Sequence, residues 1–205
     1  MLFFLVKFIS RRIRSILVSA VAVALTAGFN HAFAAPPIQG RVVGVADGDT
    51  ITVLDANKQQ HRIRFKGIDA PESKQAFGNV SKAALSDLVY RKQVTVMWTE
   101  KDRYGRVLGT VMLDGTDINL RMISQGNAWH YKQYASSQSA KDRAAYASAE
   151  AAARSAGKGL WRDPDPIPPW DFRRQKRSVE TQDSAGVELG HGLVFIKALL
   201  AQGTR

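Results

Sequence analysis

The run Asp47-Gly48-Asp49-Thr50-Ile51-Thr52-Val53-Leu54-Asp55-Ala56-Asn57-Lys58-Gln59-Gln60-His61-Arg62-Ile63-Arg64-Phe65-Lys66-Gly67-Ile68-Asp69-Ala70-Pro71-Glu72 decides how this chain folds. Two apolar-alternating pieces, Ile51 to Leu54 and His61 to Ile68, flank Asp55-Ala56-Asn57-Lys58, whose residues favour a turn. The pattern predicts a β-hairpin. With the fold near Ala56 and Asn57, Asp49 stands opposite Arg64, and Asp69 and Glu72 lie just beyond the same open end. Alternation sends Ile63 and Phe65 to one face and Arg62, Arg64 and Lys66 to the other. Three carboxylates and an arginine therefore gather at one rim of a sheet.

Such a cluster needs positive charge among it. Hard carboxylate and carbonyl oxygens from separate loops suit Ca²⁺, which tolerates a flexible shell that includes water. The chain has no cysteine, and its four histidines show no ligand spacing, so a zinc site is not expected. Pro71 biases Ala70 toward an extended conformation, which offers the Ala70 carbonyl as a further ligand beside Asp69. Arg64 supplies a fork of donors matched to phosphate oxygens. Metal, arginine and a spare carboxylate suit phosphodiester cleavage better than simple binding. Asp-Gly alone is an ordinary turn signal. The weight lies in the combination, with a second arginine, Arg106, in Lys101-Asp102-Arg103-Tyr104-Gly105-Arg106.

These residues resemble the thermonuclease, or staphylococcal nuclease-like, family. The matching pieces are Asp47-Gly48-Asp49-Thr50, then Arg64 five residues before Asp69-Ala70-Pro71-Glu72, then Asp102-Arg103-Tyr104-Gly105-Arg106. Weaker matches follow at Gln125-Gly126 and Gly159-Leu160-Trp161, so the likeness spans about Gly40 to Arg162. It implies an α+β fold, a five-stranded OB-fold β-barrel with about three packed helices. It also implies a Ca²⁺-dependent endonuclease acting on DNA and RNA and leaving 3′-phosphate ends. Asp49, Asp69 and the Ala70 carbonyl would hold the metal, and Arg64 and Arg106 would clamp the phosphate. Glu72 would serve as general base or orient the attacking water. Arg103 and Tyr104 are expected to touch substrate phosphate, and Tyr134 a base. Trp129, Trp98 and Trp161 read as core, and Thr50 as a supporting hydroxyl. Ala70 stands where the family's best-known form has threonine, a change that leaves a backbone ligand in place.

Around this core the chain divides into three parts. Residues 1–34 read as a signal peptide: Lys7, Arg11, Arg12 and Arg14 precede an apolar run from Ile16 to Phe29, and Ala32-Phe33-Ala34 fits cleavage after Ala34. The protein is thus expected to be secreted or periplasmic, with an uncleaved membrane anchor as the alternative. Residues 35–162 form the nuclease-like domain. Within it, Asn79 or Ser81 is expected to cap a helix running to about Tyr90, with Val80, Ala84, Leu88 and Val89 near one apolar face. Strands over Gln93 to Thr99 and Val107 to Leu113 follow, joined by a tip at Asp102 to Gly105. Asp117 is expected to cap a helix ending at Gly126, before a last helix over Ser139 to Ala156. Residues 163–205 read as a largely irregular Pro-rich and basic tail, extended from Asp163 to Trp170. The cluster Arg173, Arg174, Lys176 and Arg177 there is either solvated or an added phosphate contact. Leu193 to Leu200 is a short helix candidate.

The formal charge of +11, from 29 basic and 18 acidic residues, suits a polyanionic partner. DNA and RNA are the expected substrates, the chain is expected to be a monomer, and no stable membrane association is expected after cleavage. A non-catalytic OB-fold module binding single strands is the alternative. A surface receptor for anionic polymers would gain nothing from Asp49, Asp69 and Glu72. Because a carboxylate is a weak base at neutral pH, activity is expected to climb toward alkaline pH. A pH–rate profile peaking below about pH 6 would contradict this reading.

Overall fold

The computed structural model describes residues 35–178; the expected signal peptide, its cleavage site and the Leu193 to Leu200 helix lie outside them. Strands β1 (Ile38–Asp47), β2 (Thr50–Asp55) and β3 (Gln60–Phe65) form a meander. The short β4 (Ile68–Asp69) and helix α1 (Gly78–Val89) follow, then β5 (Gln93–Lys101), β6 (Val107–Leu113) and β7 (Thr116–Asp117). Helix α2 (Ile118–Ser124), β8 (Trp129–His130), a 3-10 turn at Lys132–Ser137, helix α3 (Ala140–Ser155) and a second 3-10 turn at Gly159–Arg162 complete the domain. A further helix, α4, spans 169–178.

The sheet runs β3-β2-β1-β5-β6-β7, and β3 also pairs with β6. That contact is parallel, Ile63 opposite Val107 and Arg64 opposite Leu108, and it closes β1, β2, β3, β6 and β5 into a five-stranded mixed barrel. Closure removes the exposed edges that an open sheet would leave. The expected OB-fold barrel with packed helices is therefore present. Thr50 pairs with Arg64 and Ile51 with Ile63, one residue from the expected pairing of Asp49 with Arg64, while Ile63 and Phe65 face inward as alternation predicts. Val42, Ile51, Val53, Ile63, Val96 and Val111 fill the interior, each fully buried.

Asn119, also fully buried, stitches helix to barrel. Its Oδ1 accepts from the Val111 amide at 3.0 Å, and its Nδ2 donates to the carbonyls of Lys66 (3.0 Å) and Gly109 (3.1 Å). These bonds fix the chain as it leaves β3 for β4, immediately before Asp69.

Two local expectations differ from the structure. Helix α1 starts at Gly78, and neither Asn79 nor Ser81 caps it; Phe77 holds that place with φ of 69° and no side-chain cap. Its inward face is Gly78, Ser81, Leu85 and Val89, while Val80 is exposed. Ser81 goes inside because its hydroxyl donates to the Asn127 carbonyl at 2.6 Å, which offsets the cost of burying it. The second difference is the tail. Residues 163–168 are non-helical as expected, but Pro169 and Trp170 open α4. Proline is well placed in a first helical turn, where its missing N–H has no partner to lose.

Asp117 caps α2 as expected, accepting from the Leu120 amide at 3.0 Å, and it also accepts from the Tyr146 hydroxyl at 2.8 Å. Burial raises its pKa, outweighing the hydrogen bonds from Leu120 and Tyr146 that lower it. A raised folded-state pKa means that the contribution of this group to stability is full at low pH. It is withdrawn as pH rises through that pKa. Asp117→Asn keeps a cap oxygen and a partner for Tyr146 without the charge. Its stability relative to the parent, read by urea unfolding, should therefore rise between about pH 3 and about pH 7. A difference that stays constant across that range would count against the assignment.

Candidate active site

Asp49 is delivered by a tight turn. Asp47 pairs with Thr50, leaving Gly48 and Asp49 as the loop, and the Asp49 amide donates to Asp47 Oδ1 at 3.1 Å. A side chain at Gly48 could not fit: its Cβ would lie 1.8 Å from Ser81 Oγ and 2.8 Å from Ala70 Cβ. The turn is thus pressed against α1 and the Asp69-Ala70 segment. The Phe65 amide donates to the Asp49 carbonyl at 2.8 Å, tying the loop to the end of β3. Asp49 itself is 2% exposed. Its Oδ1 accepts from the Thr50 hydroxyl at 3.1 Å, and its Oδ2 from the Ala70 amide at 2.6 Å. Thr50 is therefore the supporting hydroxyl that was expected.

Asp69 comes from β4, which pairs with β8 so that Asp69 faces Trp129 and Ile68 faces His130. It is 1% exposed. Arg64 joins the two aspartates: its Nη1 is bonded to Asp49 Oδ1, and its Nη2 donates to Asp69 Oδ1 at 2.6 Å. Two like charges are thus held side by side, nearly out of water, by one guanidinium. Such a pair is stable only with a cation between or beside it.

Glu72 sits where the chain turns into α1. The Glu72 carbonyl accepts from the Gln75 amide at 2.8 Å, while the Glu72 amide donates to Gln75 Oε1 at 3.1 Å. The carboxylate is part-exposed and takes Arg173 Nη1 at 2.6 Å. Arg173, from α4, also donates to both oxygens of Asp69, Nη1 to Oδ1 at 3.2 Å and Nη2 to Oδ2 at 2.7 Å. Burial opposes its charge, but the hydrogen bonds and charges of Asp69 and Glu72 win, so its pKa is raised. The sequence placed this residue in a basic cluster expected to be either solvated or an added phosphate contact, and neither expectation has it pairing with the site carboxylates. The only hint was the cluster itself, since nothing local shows that a side chain 104 residues from Asp69 will reach it.

Helix α4 is held at several points. Trp170 stacks on Tyr131 with centroids 5.4 Å apart and planes inclined by 15°, and meets Trp129 edge-on at 5.7 Å. Gln75 Nε2 donates to the Ile167 carbonyl at 2.6 Å. The Tyr131 hydroxyl has a raised pKa, from burial first and then from the charge of Asp69, which places the ring beside the site. Trp129 and Trp161 are buried, as expected, and pack edge to face at 4.3 Å.

The other expected site residues are more dispersed. Arg106 stands immediately before β6, whose first residue, Val107, pairs with Ile63. Asp102 holds it, accepting from its Nε at 2.7 Å and from its amide at 2.9 Å. Burial raises the Asp102 pKa, yet the hydrogen bonds from Arg106 and Tyr104 more than offset this, and the net shift is downward. Arg103 and Arg106 flank the exposed ring of Tyr104 at 4.8 and 5.5 Å. Tyr134 is exposed, 5.0 Å from Tyr131. The weak motifs prove to be one contact. Gly126 and Gly159 both have positive φ, a Cβ on either would strike the other segment, and the Leu160 amide donates to the Gly126 carbonyl at 2.8 Å.

The family described as "Staphylococcal nuclease homologue" matches residues 62–163. An "Uncharacterized endonuclease" of Haemophilus influenzae is 45% identical over 137 residues, covering 67% of this chain and 74% of the relative. A "Micrococcal nuclease" of Shigella flexneri is 41% identical over 150 residues, covering 69% and 83%. The chain belongs to the staphylococcal nuclease family. Nuclease function and a nucleic-acid substrate come with that membership. "Protein ParB" of Escherichia coli, 37% identical over 177 residues, covers 82% of the chain and 96% of its own length. That likeness is long enough to run past the barrel.

Staphylococcal nuclease-like proteins generally work with a metal ion. Among the described residues no three His, Cys, Asp or Glu side chains converge as a ready cage. Instead the site offers two nearly buried carboxylates gathered by one guanidinium. This donor set fits a hard cation that completes its shell from backbone oxygen and water.

Arg64 thus carries a structural burden that Arg106 does not. Without a divalent ion, Arg64→Gln should cost about 3 kcal/mol in urea unfolding, because it strands buried Asp49 and leaves Asp69 with Arg173 alone. Arg106→Gln, which loosens one partly exposed pair, should cost less than about 1 kcal/mol. Equal losses in the two variants would show that the Arg64 bridge is not stabilising the site.

Proposed function

We propose that the protein is an exported, Ca²⁺-dependent endonuclease that hydrolyses phosphodiester bonds of DNA and RNA by in-line attack of water, with little sequence specificity. The observation that supports this most is the Arg64 bridge between Asp49 and Asp69. It joins the residues through which the sequence resembles the family.

A phosphodiester is anionic and gains further charge as water adds, so the site must supply positive charge where that charge develops. Held by Asp49, Asp69 and the Ala70 carbonyl, Ca²⁺ would neutralise phosphate oxygens and help to place the water. Arg64, already beside both aspartates, is placed to share its fork with a phosphate oxygen. Arg106 is held to Asp102 through Nε, and its terminal nitrogens take no part in that bond. They are free of Asp102 to meet a second phosphate oxygen. Glu72 is partly open to water and can accept a proton from it or orient it. Arg103 and Tyr104 at the exposed hairpin tip suit a flanking phosphate and base, and Tyr134 another base. All of these groups address backbone or base faces rather than base edges, which carries no sequence reading.

The expected products carry 3′-phosphate ends. No described helix is long and apolar enough to cross a membrane, and the proposal is of a monomer released by signal cleavage.

Incubating the chain lacking residues 1–34 with plasmid and with RNA, in Ca²⁺ or in chelator, tests the reading. Cleavage of both polymers in Ca²⁺, abolished by chelator, is expected. Arg64→Gln and Arg106→Gln should each lower turnover by at least about a hundredfold. Binding without cleavage in Ca²⁺ would instead support the OB-fold binding module.

A further inference from the structure

Arg173 lies outside the barrel motifs, yet it makes more bonds to the site carboxylates than Arg106 does. One nitrogen, Nη1, reaches both Asp69 Oδ1 (3.2 Å) and Glu72 Oε1 (2.6 Å), while Nη2 takes Asp69 Oδ2 at 2.7 Å. Glu72 and Asp69 are like charges on adjoining segments, and Glu72 sits on a part-exposed loop without other side-chain ion pairs among those described. A bridging guanidinium converts their repulsion into a fixed geometry, as bidentate arginine–carboxylate pairs do.

The helix that carries Arg173 is anchored independently of it. Trp170 is stacked on Tyr131 and edge-on to Trp129, and Gln75 clasps the Ile167 carbonyl. Gln75 is also the residue bonded through both its backbone and its side chain to Glu72. One side chain therefore ties the Glu72 loop to the segment that delivers Arg173. Within the same helix, Arg174 turns to Asp171 rather than to the site.

We propose that Arg173 is a positioning residue of this nuclease, brought in by α4 to hold Glu72 against Asp69. The inference rests on the assignment of Glu72 as base or water-orienting group. Arg173 acts through Glu72, not on the phosphate, so its loss lowers turnover without weakening substrate binding.

The test uses the chain lacking residues 1–34 and four variants: Arg173→Gln, Arg173→Lys, Glu72→Gln and the double Arg173→Gln/Glu72→Gln. Circular dichroism confirms folding, plasmid cleavage gives kcat and KM, and calorimetry gives Ca²⁺ binding without turnover. Arg173→Gln is expected to lower kcat by about 10- to 100-fold, the range typical of groups that orient site residues, with KM changed less than about threefold. Arg173→Lys should recover part of that loss, because it keeps the charge but not the fork. In the double variant Arg173→Gln should cost little beyond Glu72→Gln alone. Ca²⁺ affinity should stay the same or weaken. Tighter Ca²⁺ binding by Arg173→Gln would overturn the proposal, since Arg173 would then be an occupant displaced by the metal. A rise in KM with kcat intact would overturn it in favour of a substrate contact. If Glu72→Gln keeps full activity, the assignment of Glu72 fails. If Glu72→Gln is impaired while Arg173→Gln is not, only the positioning role fails.

Discussion

The whole site depends on one guanidinium shared by two buried carboxylates. Asp49 and Asp69 are each almost fully shielded from water, and Arg64 binds both. Burying one unpaired carboxylate is costly, and burying two side by side is worse. The fold accepts that cost because the barrel fixes all three backbones. Thr50 pairs with Arg64 across the hairpin, the Phe65 amide holds the Asp49 carbonyl, and β8 clamps β4. Rigidity of this kind suits a site meant to bind cations, because the charge is concentrated before any ligand arrives.

The pattern of positive groups around that pair has a gradient. Arg64 is embedded between the aspartates, and Arg173 reaches Asp69 and Glu72 from outside the barrel. Arg106, Arg103 and Tyr104 form a separate outer group, organised by Asp102 and by ring contacts. The inner arginines serve the protein's own carboxylates, whereas the outer group presents itself to whatever lies along the surface. The division separates arginines bonded to the buried carboxylates from those gathered at the hairpin tip.

The barrel half of this arrangement is written locally. Alternation and turn residues set the hairpin, and although Arg64 pairs with Thr50 rather than Asp49, the hairpin alone brings its side chain to Asp49. The same reading placed the cap Asp117, which acts within three residues, and the start of the last helix near Ser139. It failed where partners are distant. Val80 appears apolar and inward until Ser81 finds the Asn127 carbonyl, which turns the α1 face. Pro168 and Pro169 suggest an unstructured run, yet the second proline starts α4. Trp170 looks like any exposed aromatic until Tyr131 and Trp129 are set beside it. Gln125-Gly126 and Gly159-Leu160-Trp161 look like two weak signals, and only the folded chain shows them as two sides of one crossing.

The glutamine at position 75 binds Glu72 on one side and the Ile167 carbonyl on the other. Its two clients are separated by nearly half the polypeptide. During synthesis, the barrel strands and their aspartates emerge long before α4 does. Until Arg173 has been made, Asp69 has Arg64 alone, and the Glu72 loop keeps its bonds to Gln75 while its carboxylate lacks the ion pair it has in the folded chain.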